Sequence, residues 1–332
     1  MSAPGVWAGL TDSVFLAGIE ERERDGARVA TTVLGGLTLG MVAAVCGLLL
    51  VLVAYAILIG EGDRGMTGLG RVARAVADPE ASAPGLSVLR LVLATAVDGV
   101  FLVVFVAFAA VMVHQPLRVY VTAAPRFRWR LLAVAMAMSA TVMAPVVFAE
   151  HLLAGGSTAP PVIGVSLQVG DRLAYALSAL LLIPAAAAEE LFFRGWLMRQ
   201  AGVFLRRPLT LIGLTSLTFS ALHLDFNPDA FLTRALMGAG FAYMTLRLGG
   251  IEFSAGVHAV NNMLIVLFLQ PLSLQQTSGA DISAISLIED AALLGGYVLI
   301  TELVARLPPL RRLAGVRPAE VSRSGDMSAH FG

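Results

Sequence analysis

The sequence is poor in charged residues and in cysteine, and it has no lysine. Charged residues make up 14% of the chain, whereas an ordinary soluble domain has roughly 25%. Hydrophobic residues make up 57%, and the mean hydropathy is +0.80. A soluble core cannot bury that much apolar surface. The scarcity of charge therefore excludes an ordinary soluble enzyme and indicates a polytopic membrane protein.

The one cysteine, Cys46, lies in an apolar run. It excludes a disulfide within the chain and a zinc site built from several cysteines. The 23 basic residues, all of them Arg, balance the 23 acidic residues, so the formal net charge is zero. A chain without an excess of positive charge does not fit nucleic-acid binding, and we expect no nucleic-acid partner. The absence of lysine is typical of a GC-rich, bacterial genome.

Long apolar segments occupy most of the chain. A helix needs about 20 mostly apolar residues to cross a bilayer, and about eight segments approach or exceed that length. They are residues 30–60, 86–113, 131–153, 173–198, 208–224, 230–248, 251–270 and 284–305. The predicted fold class is therefore all-α, a helical membrane bundle with about eight transmembrane helices.

The distribution of arginine predicts the orientation of these helices. Positively charged short loops favour the cytoplasmic side. Arg is concentrated after the second, fourth, sixth and eighth predicted helices. The loop 61–85 is an exception, because it contains Arg64, Arg71 and Arg74, but it also carries four acidic residues. We expect both termini in the cytoplasm and the protein in a bacterial cytoplasmic membrane.

Ionisable residues inside an apolar segment are candidate functional residues, because placing one there costs at least ~2.5–3.5 kcal/mol. The stretch PAAAAEELFFRGWLMRQ contains Glu189, Glu190 and Arg194. On a helix, Glu190 and Arg194 share a face. A purely structural ion pair would have the same spacing. Glu189 points about 100° away and has no partner within its own helix. Glu189 is therefore the better candidate for a proton acceptor.

Two further polar clusters follow along the chain. The segment FSALHLDF places Phe219 and His223 four residues apart, and GVHAVNN does the same for His258 and Asn262. The second pair shares a helix face and could bind a developing oxyanion. Interhelical hydrogen bonding explains that pair equally well. His223 by itself is more typical of a hydrogen-bonded packing residue.

In chain order the three clusters read EExxxR, FxxxH and HAxxN. This ordered set resembles the CPBP family of intramembrane proteases. That family includes the type II CAAX prenyl endopeptidases and bacterial bacteriocin-processing and immunity-type relatives. The resemblance covers a catalytic core at residues 170–270. The remaining segments are an N-terminal cytoplasmic segment (1–29), three helices without a recognised motif (30–169), the last loop and helix (271–307) and a polar cytoplasmic tail (308–332).

The resemblance implies an intramembrane endopeptidase that hydrolyses membrane-embedded or membrane-proximal peptide or protein substrates. It implies that Glu189 with His223 activates the attacking water, and that His258 and Asn262 stabilise the oxyanion. The supporting residues implied by the family are Glu190, Arg194 and Phe219.

The resemblance leaves open whether a metal takes part. Glu189, His223 and His258 are candidate ligands for zinc or another divalent metal, and they would leave one coordination position open. The sequence has no HExxH motif, and Asn262 is a poor zinc ligand. These two points favour a metal-free mechanism that uses the same glutamate and histidine side chains.

Two other functions fit the composition. One is a non-catalytic membrane scaffold or immunity factor with the same fold. The other is a proton-coupled transporter, for which Asp98, an isolated carboxylate within the second predicted helix, would suit a proton relay. Arg90 and Arg234 are the available partners for Asp98. No internal sequence repeat supports the transporter.

Overall fold

The computed structural model describes residues 6–17, 19, 21–61, 64–78, 84–153, 169–205, 207–265, 282 and 284–317. The chain is helical across these ranges, and an isolated antiparallel bridge joins Thr122 to Gly250. The α-helices are α1 (Val6–Thr11), α2 (Gly26–Leu58), α3 (Gly65–Ala77), α4 (Pro84–Met112), α5 (Trp129–Leu153), α6 (Val169–Glu190), α7 (Met198–Gly202), α8 (Pro208–Ala221), α9 (Pro228–Leu248), α10 (Glu252–Leu264), α11 (Ala284–Arg306) and α12 (Pro308–Leu313).

The all-helical fold class is confirmed for the described residues, and each of the eight predicted segments contains a helix. Two helical stretches, Gly26–Leu58 and Leu89–Met112, are long and apolar enough to cross a membrane. Shorter apolar helices lie at Trp129–Pro145 and Pro208–Ala221. The span count and the orientation of the bundle stay predictions. Residues 154–168 and 266–281, which include the end of the seventh predicted segment, lie outside the described residues.

Helices α2 and α4 pack through glycine against phenylalanine. A Cβ at Gly36 would lie 2.7 Å from the ring of Phe105, and one at Gly40 would lie 2.8 Å from the ring of Phe101. Small residues allow two apolar helices to approach closely where lipid provides no hydrophobic driving force. Phe105 also contacts the rings of Phe192 and Trp196, which follow the two glutamates in the chain.

The centre of the bundle is formed by α9 and α10. Residues 252–261 of α10 are all buried, and this helix packs against α5, α6 and α9. A helix that is buried on all sides belongs in the interior of its protein. The first turn of α10 is fixed by Glu252, which accepts hydrogen bonds from the guanidinium group of Arg128 at 2.9 and 2.7 Å. This anchor sets the position of His258 on α10.

Both polar ends of the chain contribute buried residues. Phe15, in the predicted cytoplasmic N-terminal segment, is 1% exposed and packs in one core cluster with Met198 and Leu211. Val316, in the predicted polar tail, is buried in the central core. Residues 318–332 of that tail lie outside the described residues. The described ends are therefore packed parts of the fold.

The arginine-rich loop 61–85 contains an amphipathic helix, α3. Its Val72 is buried against Leu52 of α2 and Leu89 of α4. On its polar side, Glu61 forms ion pairs with Arg64 and Arg71. The acid therefore neutralises part of the positive charge that made this loop an exception to the orientation rule.

Candidate active site

The helix that carries the two glutamates ends in an irregular turn. Directly after Glu190, residues Leu191–Leu197 form a π-helical turn, where the sequence predicted a continuous helix. Gly195 lies in this turn, and a Cβ there would clash with the backbone carbonyl oxygen of Tyr120. π-Turns are often found at functional sites. Here the turn begins directly after Glu190 and carries Arg194, the last residue of the EExxxR motif.

Glu190 and Arg194 form a fully buried ion pair. Nη1 of Arg194 donates to Oε1 of Glu190 at 2.9 Å, as their spacing predicted, and both side chains are 0% exposed. Nη2 of Arg194 donates to the carbonyl oxygen of Gly238 at 3.0 Å. The guanidinium carbon lies 4.5 Å from the centre of the Phe219 ring. Aromatic faces and a carboxylate thus replace the water that a buried guanidinium loses.

His258 lies between the two carboxylates. Its Nδ1 donates to Oε1 of Glu190 at 3.0 Å, and its Nε2 lies 3.8 Å from Oε2 of Glu189. The prediction that Glu189 lacks a partner holds only within its own helix, because the partner comes from α10. The His258 ring stacks on Phe241 with centroids 4.7 Å apart. The imidazole is therefore held at its Nδ1 edge by Glu190 and on one face by Phe241, with Nε2 directed towards Glu189.

His223 lies just beyond the end of α8. A carbonyl oxygen can only accept a hydrogen bond, so Nδ1–H of His223 donates to the carbonyl oxygen of Phe219, at 2.8 Å. In the neutral side chain the lone pair is then on Nε2. The next residue, Leu224, has φ 56°, a backbone conformation that costs a non-glycine residue about 1–2 kcal/mol. The chain thus turns sharply where it presents His223.

His223 and Glu189 line one cavity of about 460 Å³. The shared cavity places the two side chains at the same site. The remaining lining residues are Asp98, Phe101, Leu102, Phe193, Leu222 and Leu224. The cavity therefore combines polar groups from α4, α6 and the loop after α8 with apolar walls.

Asp98 is the cavity residue whose role the sequence did not reveal. Its neighbour Gly99 packs on α6, since a Cβ there would lie 3.8 Å from Cβ of Ala188. The two arginines considered as partners are engaged elsewhere. Arg90 donates to the carbonyl oxygen of Val76 at 2.9 Å, and Arg234 pairs with Asp225 at 2.8 Å. The sequence feature that could have indicated a role for Asp98 was an isolated carboxylate within an apolar segment.

Asn262, like His258, is not among the described residues that line this cavity. It is partly buried, and its Oδ1 accepts a hydrogen bond from Nδ2 of Asn261 at 3.4 Å. The structure thus brings together Glu189, Glu190, Arg194, Phe219, His223 and His258. It keeps Asn262 one helical turn beyond His258 on α10.

The rim of the cavity is held by a second ion pair. Asp225 pairs with Arg234, and the hydrogen bond from that arginine lowers the pKa of Asp225. Asn227 caps α9 by accepting from the backbone N–H groups of Asp229 and Ala230. These contacts tie the loop that carries His223 to the start of α9.

The three candidate metal ligands do not form a metal site. Among the residues that the structure describes, no three His, Cys, Asp or Glu side chains are grouped to hold a metal ion. Both ring nitrogens of His258 face carboxylates, and Nδ1 of His223 faces a carbonyl oxygen. The metal-free mechanism that the sequence favours stays a prediction.

Sequence comparisons point to the same part of the chain. Residues 171–264 match the family model described as type II CAAX prenyl endopeptidase Rce1-like. The resemblance to this family is confirmed. The matched segment runs from the start of α6 to the end of α10 and includes all three motifs. The matched family is a protease family.

Two further comparisons were made, with curated proteins and with solved structures. The uncharacterized protein YyaK of Bacillus subtilis (strain 168) is 29% identical to this chain over 183 residues. The match covers 52% of this chain and 58% of that protein, so it spans just over half the length of the relative. No solved structure matches the chain.

Proposed function

We propose that this protein is an intramembrane endopeptidase whose active site is the cavity between α4, α6 and the loop after α8. The observation that carries the proposal is the joint placement of Glu189 and His223 in one cavity, with His258 beside Glu189. A carboxylate that can accept a proton from water, together with two neighbouring imidazoles, is a set of groups suited to peptide hydrolysis. The match to a protease family over these helices supports the same conclusion.

The proposal includes the membrane setting. The eight long helices cross a bacterial cytoplasmic membrane, with both termini in the cytoplasm. The charge of the short loops supports this orientation. Residues 170–270 form the catalytic core, and the helices before residue 170 complete its cavity through Asp98, Phe101 and Leu102.

The first step is attack by water on the scissile carbonyl carbon. Glu189 accepts one proton from a water molecule in the cavity, and Nε2 of His223 accepts a hydrogen bond from the same water. The water oxygen then bonds to the carbonyl carbon, and the carbonyl oxygen becomes an oxyanion. The apolar walls strengthen these interactions, because they keep bulk water from the reacting groups.

His258 stabilises the oxyanion from the other side. Its Nδ1–H is held by Glu190, so donation to the substrate requires a proton on Nε2. Asn262, four residues further along α10, is the second donor. The hydrogen bond to its Oδ1 directs its Nδ2 away from Asn261.

The second step breaks the peptide C–N bond. The oxyanion re-forms the carbonyl, and the leaving amine takes the proton that the water gave to Glu189, either directly or through His223. The products are a new carboxyl terminus and a new amino terminus, and Glu189 is unprotonated again. No group outside the protein, the water and the peptide is needed to balance the reaction.

This function is tested without knowledge of the substrate. A deletion strain of the native host is complemented with wild type, Glu189→Gln or Glu289→Gln at matched expression. Glu289 is an exposed residue of α11, so its variant controls for the substitution itself. We expect new peptide termini in the membrane fraction with wild type and the control, and their absence with Glu189→Gln. Identical termini in all three strains, with equal rescue of the deletion phenotype, would instead favour the non-catalytic scaffold.

A further inference from the structure

We propose that Asp98 is a specificity-determining residue that binds a cationic side chain, Arg or Lys, of the substrate beside the scissile bond. This inference rests on the proposed function and deepens it by naming a substrate class. Asp98 belongs to α4, outside the segment that matches the protease family. It lines the same cavity as Glu189 and His223.

The position of Asp98 is fixed by helix packing. It lies near the middle of α4 (Pro84–Met112), and the contact of Gly99 with Ala188 holds this turn of α4 against the turn of α6 that precedes Glu189. Phe101 and Leu102, on the next turn of α4, line the same cavity. Asp98 is exposed and lines the cavity, so it can contact a substrate without an intervening side chain.

Among the described residues, the arginines near the cavity are paired with carboxylates other than Asp98. On α6, Glu190 is neutralised by Arg194 of the π-turn. On α10, His258 lies between Glu190 and Glu189.

At the rim, Arg234 of α9 is paired with Asp225. No hydrogen bond or ion pair joins Asp98 to another residue in the described part of the chain. Two carboxylates, Asp98 and Glu189, thus share the cavity with one imidazole, that of His223.

The excess of carboxylates over cationic groups in the cavity favours a positively charged substrate side chain. An unpaired carboxylate inside a membrane helix is costly, and such groups face a cavity where a partner compensates them. Glu189 is engaged with water and His258 in the proposed reaction, so Asp98 is the carboxylate left for a substrate cation. Arg and Lys lay their aliphatic stems along apolar surfaces while the charged end meets its partner. Phe101, Leu102 and Phe193 provide such a surface in the cavity.

The test compares arginine with citrulline, which has nearly the same shape and no charge. Short leucine–alanine peptides carry one Arg or one citrulline, moved one position at a time, and cleavage by the purified full-length protein is followed by mass spectrometry. At one position we expect wild type to prefer Arg by ~10- to 100-fold in kcat/KM. Asp98→Asn should lose this preference while still cutting the citrulline peptide, and Asp98→Glu should retain it.

A second carboxylate supplies the matched control. Asp290 of α11 is buried and accepts a hydrogen bond from Thr233, and it is not among the residues that line the cavity. Asp290→Asn should keep the arginine preference. Equal rates for Arg and citrulline peptides in wild type would overturn the inference. So would a preference that Asp98→Asn leaves unchanged, or an equal loss of both rates, which is the result expected of a structural or proton-relay role.

A binding measurement separates this inference from the proposed function. If wild type cuts none of the peptides, the protease proposal fails for them, and equilibrium binding of the same fluorescently labelled peptides still tests Asp98. Tighter binding of the Arg peptide by wild type, lost in Asp98→Asn, would support a cation site. Equal binding of Arg and citrulline peptides would overturn it.

Discussion

At the scale of single residues, Glu189 and Glu190 are adjacent in sequence and have opposite environments. Glu190 is fully buried and holds Arg194 and His258. The Glu189 side chain is 24% exposed and opens onto the cavity. One carboxylate therefore organises the site, and the other is available for chemistry. Substituting each by Gln should separate stability from activity.

We predict that Glu190→Gln destabilises the protein by about 3–5 kcal/mol, because it leaves the buried Arg194 without its counter-ion. Unfolding of the detergent-solubilised protein, measured by heat or denaturant, gives this value. Glu189→Gln is the matched control, since its nearest ionic contact is 3.8 Å away, and it should change the free energy of unfolding far less. Equal destabilisation by both substitutions would show that Arg194 does not depend on Glu190.

The ion pair and the motif spacing were readable from the sequence, because residues four apart meet on a helix. The contact between His258 and the two glutamates was not, since it joins residues 68 or more positions apart. The spacing rule applies to residues of one helix and gives no information about contacts between α6 and α10. For this reason the sequence analysis considered His258 as an oxyanion donor or a metal ligand, and it found no partner for Glu189.

At the scale of helices, the π-turn Leu191–Leu197 carries Arg194 of the EExxxR motif. The hydrophobic pattern of this segment predicts a helix and carries no sign of the change from α to π. The close contact of Gly195 with the backbone of Tyr120 is the tertiary feature that accompanies the turn. The turn is thus a product of packing between distant segments.

We predict that Gly195→Ala destabilises the protein by about 1–3 kcal/mol, as overpacking a filled site does. The added methyl group must displace the backbone at Tyr120, which cannot move aside like a flexible side chain. The control is Gly213→Ala in α8, where a Cβ meets nothing within 4 Å. A thermal shift assay on both variants gives the comparison. An unchanged melting temperature for Gly195→Ala would contradict the packing described for the π-turn.

At the scale of the whole molecule, the sequence predicted helices and their order but not which helices share the site. Each of the eight predicted segments contains a helix, as expected for apolar runs, which have few other options in lipid. Composition could not show that α4 supplies Asp98 to a cavity whose other polar groups lie beyond residue 188. It also could not show that Phe15, in a charged N-terminal segment, is buried against Met198 and Leu211.

We predict that both termini face the cytoplasm. Fusions of green fluorescent protein and of alkaline phosphatase to the C-terminus test this in a bacterial host. Because the first folds in the cytoplasm and the second requires the oxidising outer compartment, fluorescence without phosphatase activity is expected. A fusion truncated after residue 62 places the reporters in the loop after α2 and should give the reverse result. Phosphatase activity from the full-length fusion would contradict the orientation.

The central claim is that this chain hydrolyses peptide bonds with Glu189 as the base. Membranes containing wild type or Glu189→Gln are incubated in water labelled with oxygen-18, and new carboxyl termini are analysed by mass spectrometry. Water attack predicts one labelled oxygen at each terminus made by wild type, and a fall of about 100-fold or more in such termini with Glu189→Gln. Labelled termini formed equally by both proteins would contradict the assignment of Glu189 as the base.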